Sequence, residues 1–321
     1  MTESQAIELA GPHTRDSLAA DVRTLGVHRG LDVSDRVPQP GELRELFREQ
    51  ELRCGNVEEW AAPHLMALAG RYFRSDGSLV GAALCEGTEL LLAVAFRDDL
   101  DREGVATALL RSSSGGEECW VPTADRDLEG ALAACRWRPS TVDLQLRLGL
   151  PAAAGAPLPE GVGLVALAGP DEVSLHRAVH EFTCEAFGVD SPAEEFLERY
   201  VRDPAYDAGL WVLGQDSDGL CGAVIGRVLQ LPDALVGKVA SVAVAPRARG
   251  RGLAAALLAE LCQRFASRGL LLAQLGSHED NPSGATSMYR HLGWVQVSSK
   301  TRWQRGPSVR ATLCRRPNRP G

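Results

Sequence analysis

Apolar and polar positions along the chain run in two series of the same order. In the C-terminal half the pattern is sharpest over Val239–Ala259. A β-branched run, Val239 to Val244, reads as a strand; Pro246 and the glycine-spaced Arg247–Gly252 read as a turn; the alanine- and leucine-rich segment from Leu253 reads as a helix. Upstream lie a strand at Gly163–Leu167 and a helix capped by Asp171 and running to Phe187. Val173, Ala178, Val179, Phe182 and Ala186 form that helix's apolar stripe. A shorter helix follows Ser191, then a hairpin joins Leu210–Leu213 to Leu220–Leu229 through a polar turn. Downstream come a strand at Leu270–Leu275, a helix from Pro282 to His291 and a strand around Trp294–Val297.

The N-terminal half gives the same order. Ile7–Leu9 reads as a strand, and Thr14 caps a helix towards Leu25. After the loop Asp32–Gly41 a second helix starts at Glu42. Arg71–Arg74 and Leu79–Cys85 flank an Asp-Gly turn, a hairpin signal. Then follow a strand at Leu90–Phe96, a helix at Val105–Leu110, a strand at Cys119–Val121, a helix over Asp125–Cys135 and a strand at Thr141–Leu148. Leu9–Pro12 matches Leu167–Pro170, Ala93–Leu110 matches Ser241–Leu258, and Trp137 matches Trp294, so the halves read as repeats of one unit. The expected organisation is α+β in two tandem domains, residues 1–148 and 163–304. A Pro-, Ala- and Gly-rich linker at 149–162 joins them, and a basic, disordered tail at 305–321 follows.

Composition narrows the classes. The 321 residues carry a net charge of −8, which argues against nucleic acid as the main partner. The 8 cysteines are scattered without metal-like spacing and read as reduced thiols. The first residues lack the apolar core of a signal peptide, and no apolar run is long enough to span a bilayer, so a cytoplasmic protein with no membrane partner is expected.

The chemistry concentrates at Arg249–Gly252. A helix start with little side-chain bulk, several free N–H groups and two arginines is a seat for a phosphate or pyrophosphate. Arg249-Gly250-Arg251-Gly252-Leu253-Ala254 stands after an apolar strand. Farther on, Asn281, Ala285 and Tyr289 precede Leu292-Gly293-Trp294. In these two signatures and in its element order the chain resembles the GNAT superfamily of acetyl-CoA-dependent N-acetyltransferases, nearly throughout its C-terminal half and more weakly in its N-terminal half. The resemblance implies two tandem GNAT-like domains, each a mixed, mostly antiparallel sheet flanked by helices, with acetyl-CoA as acyl donor. It also implies that Arg249, Gly250, Arg251, Gly252, Leu253 and Ala254 hold the pyrophosphate. Val242, Ala243 and Val244 would pair with the pantetheine arm, and Asn281 would orient it. Tyr289 would be the general acid for the departing thiolate. Against these roles stand plainer ones: Tyr289 as a core aromatic, Asn281 as a helix cap, His278, Glu279 and Asp280 as a solvated run, and the tryptophans as core.

Two departures qualify the resemblance. In the N-terminal copy Asp101, Arg102 and Glu103 replace Arg249, Gly250 and Arg251, and Leu132 stands at the Tyr289 position, so residues 1–148 read as a degenerate domain. In the C-terminal copy the strand Lys238–Val242 lacks the carboxylate that many relatives use as general base. Glu181, Glu185, His278, Glu279 and a water held by Ser241 are the alternatives. The tandem arrangement looks like the mycothiol synthase branch or antibiotic-modifying relatives. The reading reached is acetyl transfer to a small-molecule amine by direct attack in a ternary complex. Its rivals are a different acyl donor and a non-catalytic acetyl-CoA-binding protein.

Overall fold

The strand pattern of each half folds as a meander followed by one parallel pair. In the computed structural model the N-terminal elements are β1 (Leu31–Val33), α1 (Pro40–Arg53), β2 (Ala69–Ser75), β3 (Ser78–Glu86), β4 (Glu89–Val94), α2 (Arg102–Ser112), β5 (Glu118–Pro122), α3 (Arg126–Ala134) and β6 (Trp137–Gly149). The C-terminal elements are β7 (Gly163–Val165), α4 (Val173–Phe187), α5 (Ala193–Tyr200), β8 (Trp211–Asp216), β9 (Gly219–Gln230), β10 (Leu235–Val244), α6 (Leu253–Ser267), β11 (Leu272–His278), α7 (Ala285–His291) and β12 (Val295–Arg305). Residues 31–33, 38–53, 69–113, 115–123, 125–152, 157–204, 206–231 and 234–306 are described. The expected strand Ile7–Leu9, the helix from Thr14 and the tail beyond 306 lie outside the described residues.

Two units result, Met1–Asp143 with Ser298–Gly321, and Leu144–Val297. Their limits differ from the half-chain boundaries expected above, because the last strand of each half crosses over. In the first unit the strand order is β1-β2-β3-β4-β5-β12-β6. There Lys300–Gln304 of β12 pair antiparallel with Pro122–Glu118 of β5, and Trp303 is buried in a core with Leu90, Val121 and Trp137. In the second unit the order is β6-β11-β10-β9-β8-β7. Leu150 N–H donates to Leu271 O at 2.8 Å just beyond β6. A strand supplied from the other half completes the sheet in both units.

In each unit β-strands pair antiparallel until the fourth, which pairs parallel with the fifth across a helix: β4 with β5 around α2, and β10 with β11 around α6. The core of the second unit forms on both faces of its sheet. On one face α6 buries Leu253, Leu257, Leu261 and Phe265. Gly237 admits that helix, since a Cβ there would lie 2.5 Å from the Phe265 ring. On the other face Leu167, Val179, Phe196, Leu197, Trp211, Leu213, Ala223 and Ile225 form a cluster under α4 and α5. Helix starts differ in detail from the expectation. The N-cap of α4 is Glu172, not Asp171, and its carboxylate accepts from Ala168 N–H at 2.6 Å. Helix α7 begins at Ala285 after an αL Gly284, not at Pro282.

Candidate acyl-donor site

The site grows out of the way β10 parts from β11. The parallel register runs Gly237–Val239 against Ala273–Leu275 and stops there. At that point β10 carries a bulge against β9, between Val239 and Ser241. A bulge adds twist and turns the strand away from its neighbour. Beyond it β10 keeps its pairing with β9, from Ser241↔Ile225 to Val244↔Gly222. Ala245 N–H donates to Cys221 O at 3.0 Å on that side. Alternation then turns the backbone of Ala243 towards β9 and that of Val242 and Val244 towards the open edge. Of the three expected arm-binding residues, Val242 and Val244 thus present polar backbone to the gap, and Ala243 is buried with its backbone turned away.

Directly after β10 the chain makes a single 3₁₀ turn, Pro246–Ala248, and enters Arg249–Gly252. Gly250 and Gly252 have φ of +75° and +79°, which a Cβ would strain, and the space where one would sit is open. Gly252 is the N-cap of α6, and no side chain caps that helix. The helix's first N–H groups, at Leu253 and Ala254, therefore emerge at an exposed glycine turn, the polarity that suits an anion. The Leu253 side chain is buried in the core, which leaves its N–H as the group it can offer at the turn.

The two arginines are engaged differently from the expectation. Arg249 Nη2 donates to Ala186 O at 2.9 Å, in the last turn of α4, and its Nε donates to Val244 O at 3.2 Å. It braces the turn against β10 and α4. Arg251 Nη2 donates to Glu160 O at 2.8 Å. Both side chains are exposed and hold neutral carbonyls, partners that a pyrophosphate's charge would outcompete.

Tyr289 is carried by α7 and is 6% exposed, its ring edge-on to Trp294 with centroids 6.3 Å apart. Burial pushes its phenol up to about 12. The hydroxyl therefore keeps its proton at neutral pH, and it makes no hydrogen bond among the described residues. Asn281 is half-buried and shapes the turn before α7: its Oδ1 accepts from Ser283 N–H at 3.0 Å and from Ser283 Oγ at 2.6 Å. It is an Asx-turn residue here, three residues ahead of the helix's own cap, Gly284. Among the expected bases, Glu181, Glu185, His278 and Glu279 are exposed, whereas the Ser241 hydroxyl is buried without a hydrogen-bond partner.

The first unit shows the same construction without the seat. The β4–β5 register stops after Leu90↔Cys119 although β4 runs on to Val94. Its helix α2, however, starts at Arg102, so the residues matching Gly250–Gly252 are helical there. The N-cap Asp101 accepts from Gly104 N–H at 2.9 Å, which puts a resident carboxylate at the helix start. Arg102 turns inward, paired with Asp125 at 2.7 Å and lying 3.8 Å over the Phe96 ring. The sequence signalled the loss of one glycine, Arg102 standing for Gly250 while Gly104 keeps the place of Gly252; it did not signal that the helix would lengthen to absorb the turn.

Residues 175–294 match the model of the Acetyltransferase (GNAT) family. Among solved structures the chain is similar to a GCN5-related N-acetyltransferase from Sphaerobacter thermophilus, 20% identical, with 87% of this chain and 97% of that one covered at a TM-score of 0.67. It is also similar to an acetyltransferase of the GNAT family from Colwellia psychrerythraea, 14% identical, with 87% and 100% covered and a TM-score of 0.61. A tandem GNAT protein from the clavulanic acid biosynthesis pathway is 15% identical, with 87% and 99% covered and a TM-score of 0.59. No curated protein sequence matches. Residues 175–294 thus match the GNAT acetyltransferase family model, and most of the chain shares the fold of these solved structures. No helix among the described residues is long and apolar enough to cross a membrane.

Proposed function

We propose that this protein transfers the acetyl group of acetyl-CoA to the amine of a small molecule by direct attack in a ternary complex. The observation that carries the proposal is the parting of β10 from β11 after Val239, with the backbone of Val242 and Val244 on the open edge and a bare α6 N-terminus at its end. An extended amide-bearing arm adds to such an edge as a strand does. An open-edge N–H polarises the thioester carbonyl as charge develops on its oxygen. The N–H groups at Gly252–Ala254 take the pyrophosphate, and Arg249 and Arg251 exchange their carbonyl partners for its charge. Tyr289, held protonated by burial, donates to the departing thiolate and regains a proton shed by the attacking nitrogen, so that one amine proton ends on the thiol of coenzyme A. The first unit has the gap but not the seat, and its role is structural.

The likeness to a tandem GNAT protein of the clavulanic acid pathway fits an acceptor in secondary metabolism, such as an antibiotic or its precursor. An amino sugar or a cysteine conjugate, the acceptor class of the mycothiol synthase branch, is the other small-amine class. Mass spectrometry of copurifying molecules, followed by an acetyl-CoA thiol-release screen against aminoglycosides, amino sugars, cysteine conjugates and polyamines, tests the proposal. Turnover with one class, dependent on Tyr289, supports it. If acetyl-CoA binds and no amine releases thiol, a non-catalytic binding role replaces it; if only longer acyl-CoAs react, the donor is wrong.

A further inference from the structure

The second unit carries a row of polar side chains across the face of its sheet that also holds the α4–α5 cluster. Register fixes the row. Lys238 of β10 lies opposite Arg227 of β9 on one side and opposite Gln274 of β11 on the other. Residues directly opposite in neighbouring strands point to the same face. Gly237, one residue earlier, faces Phe265 of α6, which puts Lys238 on the other face, with Ala240 and Ile225. From the next strand Arg147 of β6 donates through Nε to Gln274 Oε1 at 3.1 Å.

The row is rich in positive charge and in donors. Arg147, Lys238 and Arg227 stand within four adjacent strands, and Asp203 meets Arg227 at 3.5 Å. Gln274 is 0% exposed, and its Nε2 has no hydrogen-bond partner. Beside it, past the bulge, the Ser241 hydroxyl is likewise buried and unpartnered. A buried amide donor left unpaired is costly, so native structures supply an acceptor. The row lies beside the point after Val239 where β10 and β11 part, the end of the open edge farther from the α6 N-terminus, so an arm laid along that edge from a pyrophosphate at α6 brings its thioester close to the row.

From this we infer that the acceptor amine carries a carboxylate, docked on Arg147, Gln274 and Lys238 while its nitrogen reaches the thioester. The inference rests on the proposed acetyl transfer. It explains why Lys238 stands on a strand where many relatives have an acid. A carboxylate accepts from a guanidinium, an ammonium and an amide N–H at once, the combination that the row offers.

The test uses the full chain and pairs of acceptors that share a skeleton and differ at one end: aminoalkanoates of two to six carbons, their carboxamides and the matching diamines. Thiol release from acetyl-CoA gives kcat/KM, and thermal denaturation with glutarate or with pentane-1,5-diol gives binding without turnover. Expected are at least tenfold higher kcat/KM for the carboxylates and a raised Tm with glutarate alone. Lys238→Glu should reverse the preference towards diamines and leave the KM for acetyl-CoA unchanged, and Lys238→Arg should keep the carboxylate preference. Arg147→Gln, a milder change, should lower kcat/KM for carboxylates about tenfold. A merely structural row would not exchange specificity on charge reversal. Equal or better turnover of carboxamides or diamines by the wild type, or no glutarate effect on Tm, overturns the inference. If no amine releases thiol while glutarate still raises Tm in a Lys238-dependent way, the transfer reading falls and the anion site stands.

Discussion

Replacing Tyr289 by Phe separates catalysis from folding. The phenol is buried on α7, and its hydroxyl makes no hydrogen bond among the described residues, while its ring packs edge-on to Trp294. Phe keeps that ring contact, so stability at pH 7 should change by no more than about 0.5 kcal/mol. Turnover should fall by about 100-fold, the lower end of what a positioned proton donor contributes, or about 2.7 kcal/mol in the barrier. The KM for acetyl-CoA should hold. The pH dependence supplies a second measure with a definite sign. Burial raises the phenol from 10.0 to about 12, so the unfolded chain gives up this proton first as pH rises. Wild-type stability from this group is fully present below pH 10 and is lost as pH climbs towards 12, by about 3 kcal/mol for the two-unit gap. Tyr289→Phe should lack that component, which urea denaturation of both proteins between pH 8 and 11.5 reads as a difference. Steady-state thiol release checks the kinetic part. A kcat within twofold of wild type from pH 7 to 10 would refute the acid role. An alkaline stability loss that is the same in both proteins would refute the burial argument.

Other substitutions probe the seat and its missing twin. Gly252→Val places a Cβ at a φ of +79° and should cost about 1–2 kcal/mol in denaturation, with weaker acetyl-CoA binding by calorimetry. Arg249→Ala frees Ala186 O and Val244 O and removes a proposed phosphate partner; calorimetry should show about tenfold weaker acetyl-CoA binding. In the first unit Asp101→Ala removes the cap to Gly104 N–H and should cost about 1 kcal/mol by denaturation, with acetyl-CoA affinity unchanged. Arg102→Ala strands the buried Asp125 carboxylate and should cost about 3–5 kcal/mol in the same assay.

The sequence made the local elements legible wherever a segment's own pattern decided its structure. The Asp76-Gly77 hairpin, the alanine- and leucine-rich α6 and the glycine turn before it depend on residues close in sequence, and each stands where pattern placed it. The ends of the units were not legible, since β12 reads as a short run around Trp294 and is in fact an eleven-residue strand reaching Arg305. Its second half holds a single apolar residue, Trp303, and alternates only in burial, with Thr301 and Trp303 facing a core built from residues about 180 positions earlier. Nothing local announces such a partner, because strand pairing is settled by the sheet edge that the strand meets. The same limit explains the site. Gly250 and Gly252 were legible because a positive φ selects glycine by itself. Arg249's hold on α4, and the alignment of Arg147, Gln274, Lys238 and Arg227 on one face, come from four strands and a helix far apart in sequence. The absent acid on β10 therefore takes on meaning only with the register known. Lys238 was a gap in a motif while the strand was read alone, and it becomes the centre of a basic row once its neighbours on either side are in place.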